Sequence, residues 1–152
     1  MPGVASAIGL LNKAGFRAIV VSNQRCVAKG LVTSDQVEAL HQRICRELAG
    51  LGAVIDAVYF CPHETETACD CRKPAPGMLL QAAKEHQIDL GASWMIGDSD
   101  IDVAAGKNAG CKTALLGRSA NASGSAPDLL AQSLLDATEK ILDLESPAQA
   151  KS

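Results

Sequence analysis

The sequence predicts an α/β fold, a parallel sheet with helices on both faces, and three observations predict it. Short apolar runs rich in β-branched residues alternate with longer amphipathic stretches, the pattern of βαβ units. Apolar residues make up 47% of the chain but aromatics only 3%, which favours helices on a sheet over an aromatic-rich sandwich. At 152 residues the chain has the length of one ordinary domain and can bury a sizeable core.

Each element has its own cue. Ala5–Gly15 places Ile8, Leu10 and Leu11 on a helix that a glycine closes. Arg17–Ser22 is a continuous apolar run, hence a buried strand. In Thr33–Leu51, Thr33 or Ser34 can N-cap a helix whose apolar positions are Val37, Leu40, Ile44 and Leu48. Ala57–Phe60 is the next strand, and a polar, Cys/His-rich loop runs from Cys61 to Pro76. Gly77–His86 follows as a helix with Met78, Leu79 and Ala82 inward. Ser93–Ile96 is a strand, Ile101–Ala109 a helix closed by Gly110, and Lys112–Leu116 a strand. Arg118–Ala126 has the composition of a mobile surface loop. Ser133 and Asp136 have the spacing of a capping box opening a last helix to about Leu144, and 146–152 reads as a disordered tail.

Charge and composition exclude several classes. Charged residues are 20% and the net charge is −3, which argues against wholesale disorder and against a basic nucleic-acid footprint. There is no basic stripe for a membrane surface and no run of the roughly 18–20 apolar residues that spans a bilayer. The first residues lack the basic region of a signal peptide, so a cytosolic setting with reduced thiols is expected. Of the six cysteines, Cys26, Cys45 and Cys111 are scattered, as small buried hydrophobes are. Cys61, Cys69 and Cys71 are clustered.

In parallel sheets, ligands sit at the carboxyl ends of strands. That rule singles out Ser22-Asn23-Gln24, Cys61 onward and Asp98, each of which follows a predicted strand. Cys61, His63, Cys69 and Cys71 offer three thiolates and an imidazole within one loop, a donor set for a closed, structural zinc site. A disulfide among the three cysteines is the alternative. Asp98 lies where a Mg²⁺ ligand would, although it or Ser99 can equally serve as a helix N-cap. A hydroxyl and backbone N–H groups at Ser22-Asn23-Gln24 could bind phosphate oxygens, or simply close a turn. Arg72-Lys73, beside the cysteine pair, is either a solvated basic pair or a cation held rigidly for phosphate.

Taken together, SNQ at 22–24, CPH at 61–63, CDCRKP at 69–74, PGML at 76–79 and GDSDID at 97–102 resemble one family. It is the zinc-containing branch of the haloacid dehalogenase-like phosphatases, with the heptose bisphosphate and histidinol-phosphate phosphatases as its nearest members. The resemblance covers roughly residues 2–145. It implies a Rossmann-like domain at 1–145 and Mg²⁺-dependent hydrolysis of a small phosphorylated metabolite through an aspartyl-phosphate. Heptose 1,7-bisphosphate, losing its 7-phosphate, is the first substrate expected; histidinol phosphate is the second. By resemblance, Ser22 and Lys73 stabilise the phosphoryl group. Asn23, Gln24, Arg25, Arg72 and Ser99 lie near the substrate, Asp98 binds Mg²⁺, and Cys61, His63, Cys69 and Cys71 bind zinc.

The family's first motif, a strand ending D-x-D-G-T, has no counterpart here. Its first Asp is the nucleophile and its second the general acid/base. The resemblance puts that strand mid-sheet, between those ending near Ser22 and Ile96. Two inner strands are then expected with unpaired backbone groups, which are costly when buried. The chain is expected to be an N-terminally truncated phosphatase, or to have the gap filled by self-association or a partner. A non-catalytic descendant that binds a phosphorylated ligand is the remaining alternative.

Overall fold

The computed structural model describes residues 3–24, 27, 29–63, 69–117 and 126–145, and in it helices and strands alternate as predicted. The order is α1 (Val4–Lys13), β1 (Ile19–Asn23), α2 (Ser34–Gly50), β2 (Ala57–Cys61), α3 (Gly77–His86), a 3₁₀ turn (Leu90–Ala92), β3 (Trp94–Gly97), α4 (Asp100–Ala109), β4 (Lys112–Leu116), β5 (Leu129–Ala131) and α5 (Leu134–Glu145). The expected substrate contact at Arg25, the loop over 118–125, the tail at 146–152 and Cys26 lie outside the described residues.

The strands form two separate parallel sheets. β1 pairs β2, with Ser22 opposite Phe60 and Asn23 opposite Cys61. β4 pairs both β3 and β5. Among the described residues, no strand joins β1 to β3. The division falls where the resemblance puts the absent strand.

β4 shows what a completed position looks like. It touches both α4 and α5. Its Thr113, Ala114 and Leu115 are all buried. Successive strand side chains point to opposite faces, so both faces of β4 are covered. β1 has a similar apolar make-up, yet none of its residues is buried and Val20 is 37% exposed. The helices form two packed pairs, α1 with α5 and α3 with α4.

Three readings need correction. β5 was not expected; it is three residues long and exists through its pairing with β4. The apolar stripe of α2 does not pack as its spacing implies: Val37 is buried, but Leu40 and Ile44 are 55% and 43% exposed. A two-stranded sheet offers little surface to a helix of 17 residues, roughly 25 Å long. Cys45 and Cys111 are half-buried, not buried.

Other local signals hold. Thr33 closes a capping box with Gln36, and Gly110 ends α4 in the left-handed conformation. Ser133 Oγ accepts from Asp136 N, while the Asp136 carboxylate accepts from Gln132 N. No helix among the described residues is long and apolar enough to cross a membrane.

Candidate active site and metal centre

The register of β1 against β2 sets Asn23 beside Cys61, joining the anion-binding candidates to the metal-binding ones. The Cys61, His63, Cys69 and Cys71 ligand atoms all lie within 4.8 Å of one another. Cys61 Sγ is 3.7 Å from Cys69 Sγ, Cys71 Sγ is 3.6 Å from Cys69 Sγ, and His63 Nδ1 is 3.3 Å from both Cys61 Sγ and Cys71 Sγ. The Cys71–Cys61 separation, 2.8 Å, is the tightest. A tetrahedral ion with metal–sulfur bonds of about 2.3 Å sets its sulfurs about 3.8 Å apart, so most of these edges fit one ion. All described cysteines are free thiols, which excludes a disulfide within this set.

Thiols this close compete for protons. Burial pushes the Cys69 thiol up, but the Arg72 backbone N–H and the neighbouring Cys71 and Cys61 thiols outweigh it and hold Cys69 at about 7. Cys71 is pushed up to about 12, first by burial, then by its hydrogen bonds to Cys61 and Cys69 and by their charge. A bound dication reverses that competition, because a coordinating thiol gives up its proton outright.

The loop is tied into the fold on both sides. Arg72 Nη1 donates to the His63 carbonyl at 3.2 Å, so this guanidinium braces the metal loop. Gly77 N donates to the Asp70 carbonyl at 2.7 Å. A Cβ at Gly77 would come within 2.1 Å of that oxygen, so only glycine lets α3 start here.

Lys73 is the centre of the site. Its backbone is clamped by the Asn23 amide: Lys73 N donates to Asn23 Oδ1 at 3.0 Å and Asn23 Nδ2 donates to the Lys73 carbonyl at 3.3 Å. Its ammonium donates to the Val21 carbonyl at 3.3 Å and to Asp102 Oδ1 at 2.6 Å. The two side chains are only 13% and 10% exposed, so this is a buried ion pair. Asp102 Oδ2 accepts from Asp98 N and Ser99 Oγ, which fixes the turn between β3 and α4. A Cβ at Gly97 would lie 2.3 Å from the Asp102 side chain, so the glycine makes room for this carboxylate.

The turn puts the Asp98 carboxylate, which is exposed, at the carboxyl end of β3. Ser22 ends β1, and its hydroxyl accepts from Gln24 Nε2 at 2.7 Å. The site therefore offers a buried ammonium, a hydroxyl and an exposed carboxylate around the converging ends of β1 and β3. Chemically that is an anion site with an oxygen ligand for a hard cation beside it.

Comparison with known proteins agrees with this geometry. A family model described as HAD-hydrolase-like matches residues 70–137. A D-glycero-beta-D-manno-heptose-1,7-bisphosphate 7-phosphatase from Escherichia coli is 37% identical over 158 aligned positions, covering 97% of this chain and 83% of that protein. The chain belongs to this family of HAD-like phosphatases. The enzyme of the same name from Rhodopseudomonas palustris is 47% identical over 117 residues, and the match spans 72% of this chain but only 65% of that relative. Among solved structures, the D,D-heptose 1,7-bisphosphate phosphatase from B. bronchiseptica, complexed with magnesium and phosphate, superposes with a TM-score of 0.85 at 33% identity. It covers 94% of this chain and 83% of its own.

Against that family, the structure gathers Ser22, Asn23, Gln24, Lys73, Asp98 and Ser99 at one sheet edge, with the cysteine cluster adjoining. Ser99 serves as the N-cap of α4. Asp102 was absent from the sequence-predicted set, yet it holds Lys73, Asp98 and Ser99 together. The available signal was its place four residues after Asp98, one helical turn from the end of β3.

Proposed function

We propose that this chain forms the phosphate-handling body of a phosphatase acting on heptose 1,7-bisphosphate, releasing the 7-phosphate, with residues 1–145 as its domain. The buried Lys73–Asp102 pair at the ends of β1 and β3 carries this reading. It keeps an ammonium charged and immobile beside Ser22, where developing phosphoryl charge needs a fixed cation. Asn23 and Arg72 position the loop, and Gln24 orients the Ser22 hydroxyl. Asp98 would hold Mg²⁺, which when bound would neutralise phosphate oxygens. The thiol–imidazole cluster would hold zinc in a structural role, and a reducing cytosol suits its free thiols.

A second reading rests on a specific observation: the sequence contains no D-x-D-G-T segment, so no carboxylate nucleophile of that motif is present. On that reading the chain binds the phosphorylated sugar without turning it over. The deciding experiment measures phosphate release from heptose 1,7-bisphosphate, and from histidinol phosphate, with Mg²⁺, alongside calorimetric binding of the same compounds. Turnover abolished by Lys73→Ala supports the enzyme. Binding without turnover, lost in Lys73→Ala, supports the second reading. Neither binding nor turnover defeats both.

A further inference from the structure

The division between the two sheets is a shaped cleft. β1 and β3 each hydrogen-bond a strand on one side only, and among the described residues their other edges have no strand partner. Both edges line the same cleft of about 590 Å³. Ile8 of α1, Leu79 of α3 and Ile141 of α5 complete an apolar lining, and Lys73 and Asp102 stand in it where the strands end. Native interiors hold few voids larger than a water, whose share of liquid volume is about 30 Å³, so this volume is far beyond a packing defect.

The cleft has strand geometry. Lys73 Nζ reaches Val21 O near the end of β1 and Asp102 just beyond β3, so both strands end at the same place and run in the same direction. A parallel strand between them would meet a backbone edge on each side, and residues flanked by helices on both faces should be apolar throughout. The chain has no such strand in reserve. Its residues outside the described ones, 1–2, 25–26, 28, 64–68, 118–125 and 146–152, include no Val, Ile, Leu or Phe. The B. bronchiseptica structure, by contrast, holds residues beyond the 83% that this chain matches.

We propose that the β1–β3 cleft is a docking surface for one extended, apolar strand of about five residues. The strand runs parallel to both edges and is supplied by a segment equivalent to that unmatched part of the relatives. The cleft accepts it in trans, as a separate peptide. The inference rests on backbone edges and apolar walls, and it stands whether or not the chain hydrolyses phosphate esters.

The test uses the full 152-residue chain. Overlapping synthetic peptides of about ten residues, a strand with its flanks, tile the unmatched part of the B. bronchiseptica protein. At saturating concentration, one apolar peptide should raise Tm by about 5–10 °C. It should also slow hydrogen exchange at alternate amides of Ile19–Asn23 and Trp94–Gly97. Val20→Glu, at an exposed β1 position that lines the cleft, should weaken the peptide at least tenfold on a steric and desolvation basis while leaving the Tm of the free chain nearly unchanged. Leu40→Glu, on the exposed face of α2, should leave peptide binding intact. No stabilisation by any peptide would overturn the proposal. So would a self-associated chain whose β1 and β3 amides are already protected, because a second copy would then be the occupant.

Discussion

Lys73 Nζ lies 2.6 Å from Asp102 Oδ1, and the pair joins the end of the metal loop to the first turn of α4. Twenty-nine residues separate the partners in sequence, and both are largely buried. Removing one partner of a buried pair leaves the other charge uncompensated, which typically costs about 3–5 kcal/mol. Lys73→Met should destabilise the chain by an amount of that order in urea titrations. Lys73→Met combined with Asp102→Asn should recover most of it, because the amide can still accept from Asp98 N and Ser99 Oγ. Phosphate binding should stay lost in the double variant, which separates the structural from the functional part of the lysine.

Cys69→Ser should lower bound zinc and loosen residues 61–76, since three ligands hold the loop less well than four. Elemental analysis of the purified protein should give a single zinc ion per chain, depleted in the variant. Hydrogen exchange should rise at Cys69–Lys73. Full zinc occupancy in the variant would remove Cys69 from the ligand set.

Gly97→Ala should damage the site from outside it. The added methyl would collide with the Asp102 side chain, so either the carboxylate or the β3–α4 turn must move. Overpacking of this kind costs about 1–3 kcal/mol. Phosphate affinity should fall with stability, because Asp102 positions Lys73. Gly77→Ala should instead weaken metal binding, since its collision is with the Asp70 backbone inside the metal loop.

Tyr59 supplies a pH test away from the site. Burial pushes its hydroxyl up to about 12, helped by its hydrogen bond to Glu85 and the charge of that carboxylate. The folded value lies above the unfolded one, about 10. Its contribution to stability is therefore complete below pH about 10 and is lost as pH rises through about 12. Urea midpoints between about pH 9 and pH 11 should fall less steeply in Tyr59→Phe than in the parent chain. Equal slopes would contradict the assignment.

Much of this architecture was legible because local chemistry and tertiary context agree. Gly77–His86 and Lys112–Leu116 form with the bounds their residues predict. The four metal-type ligands were readable because they lie in one loop. Elements defined by distant partners were not. β1 begins at Ile19, not Arg17, because pairing starts opposite Ala57, while Ala18 N turns to the Asp56 carboxylate. β5 exists by its register with β4, and three residues carry no periodicity. Asp102 escaped notice because its partner is contributed by another loop. The exposed face of α2 has the same origin: its spacing is helical, but the surface that would bury it depends on the width of the sheet.

Amide NMR of the 152-residue chain, titrated with inorganic phosphate in the presence of Mg²⁺, tests the central claim most directly. The account predicts shifts confined to Ser22–Gln24, Arg72–Lys73 and Gly97–Ser99, the three segments that meet around the Lys73–Asp102 pair, and their loss in Lys73→Ala. Shifts centred elsewhere, or an unchanged response in Lys73→Ala, would contradict it.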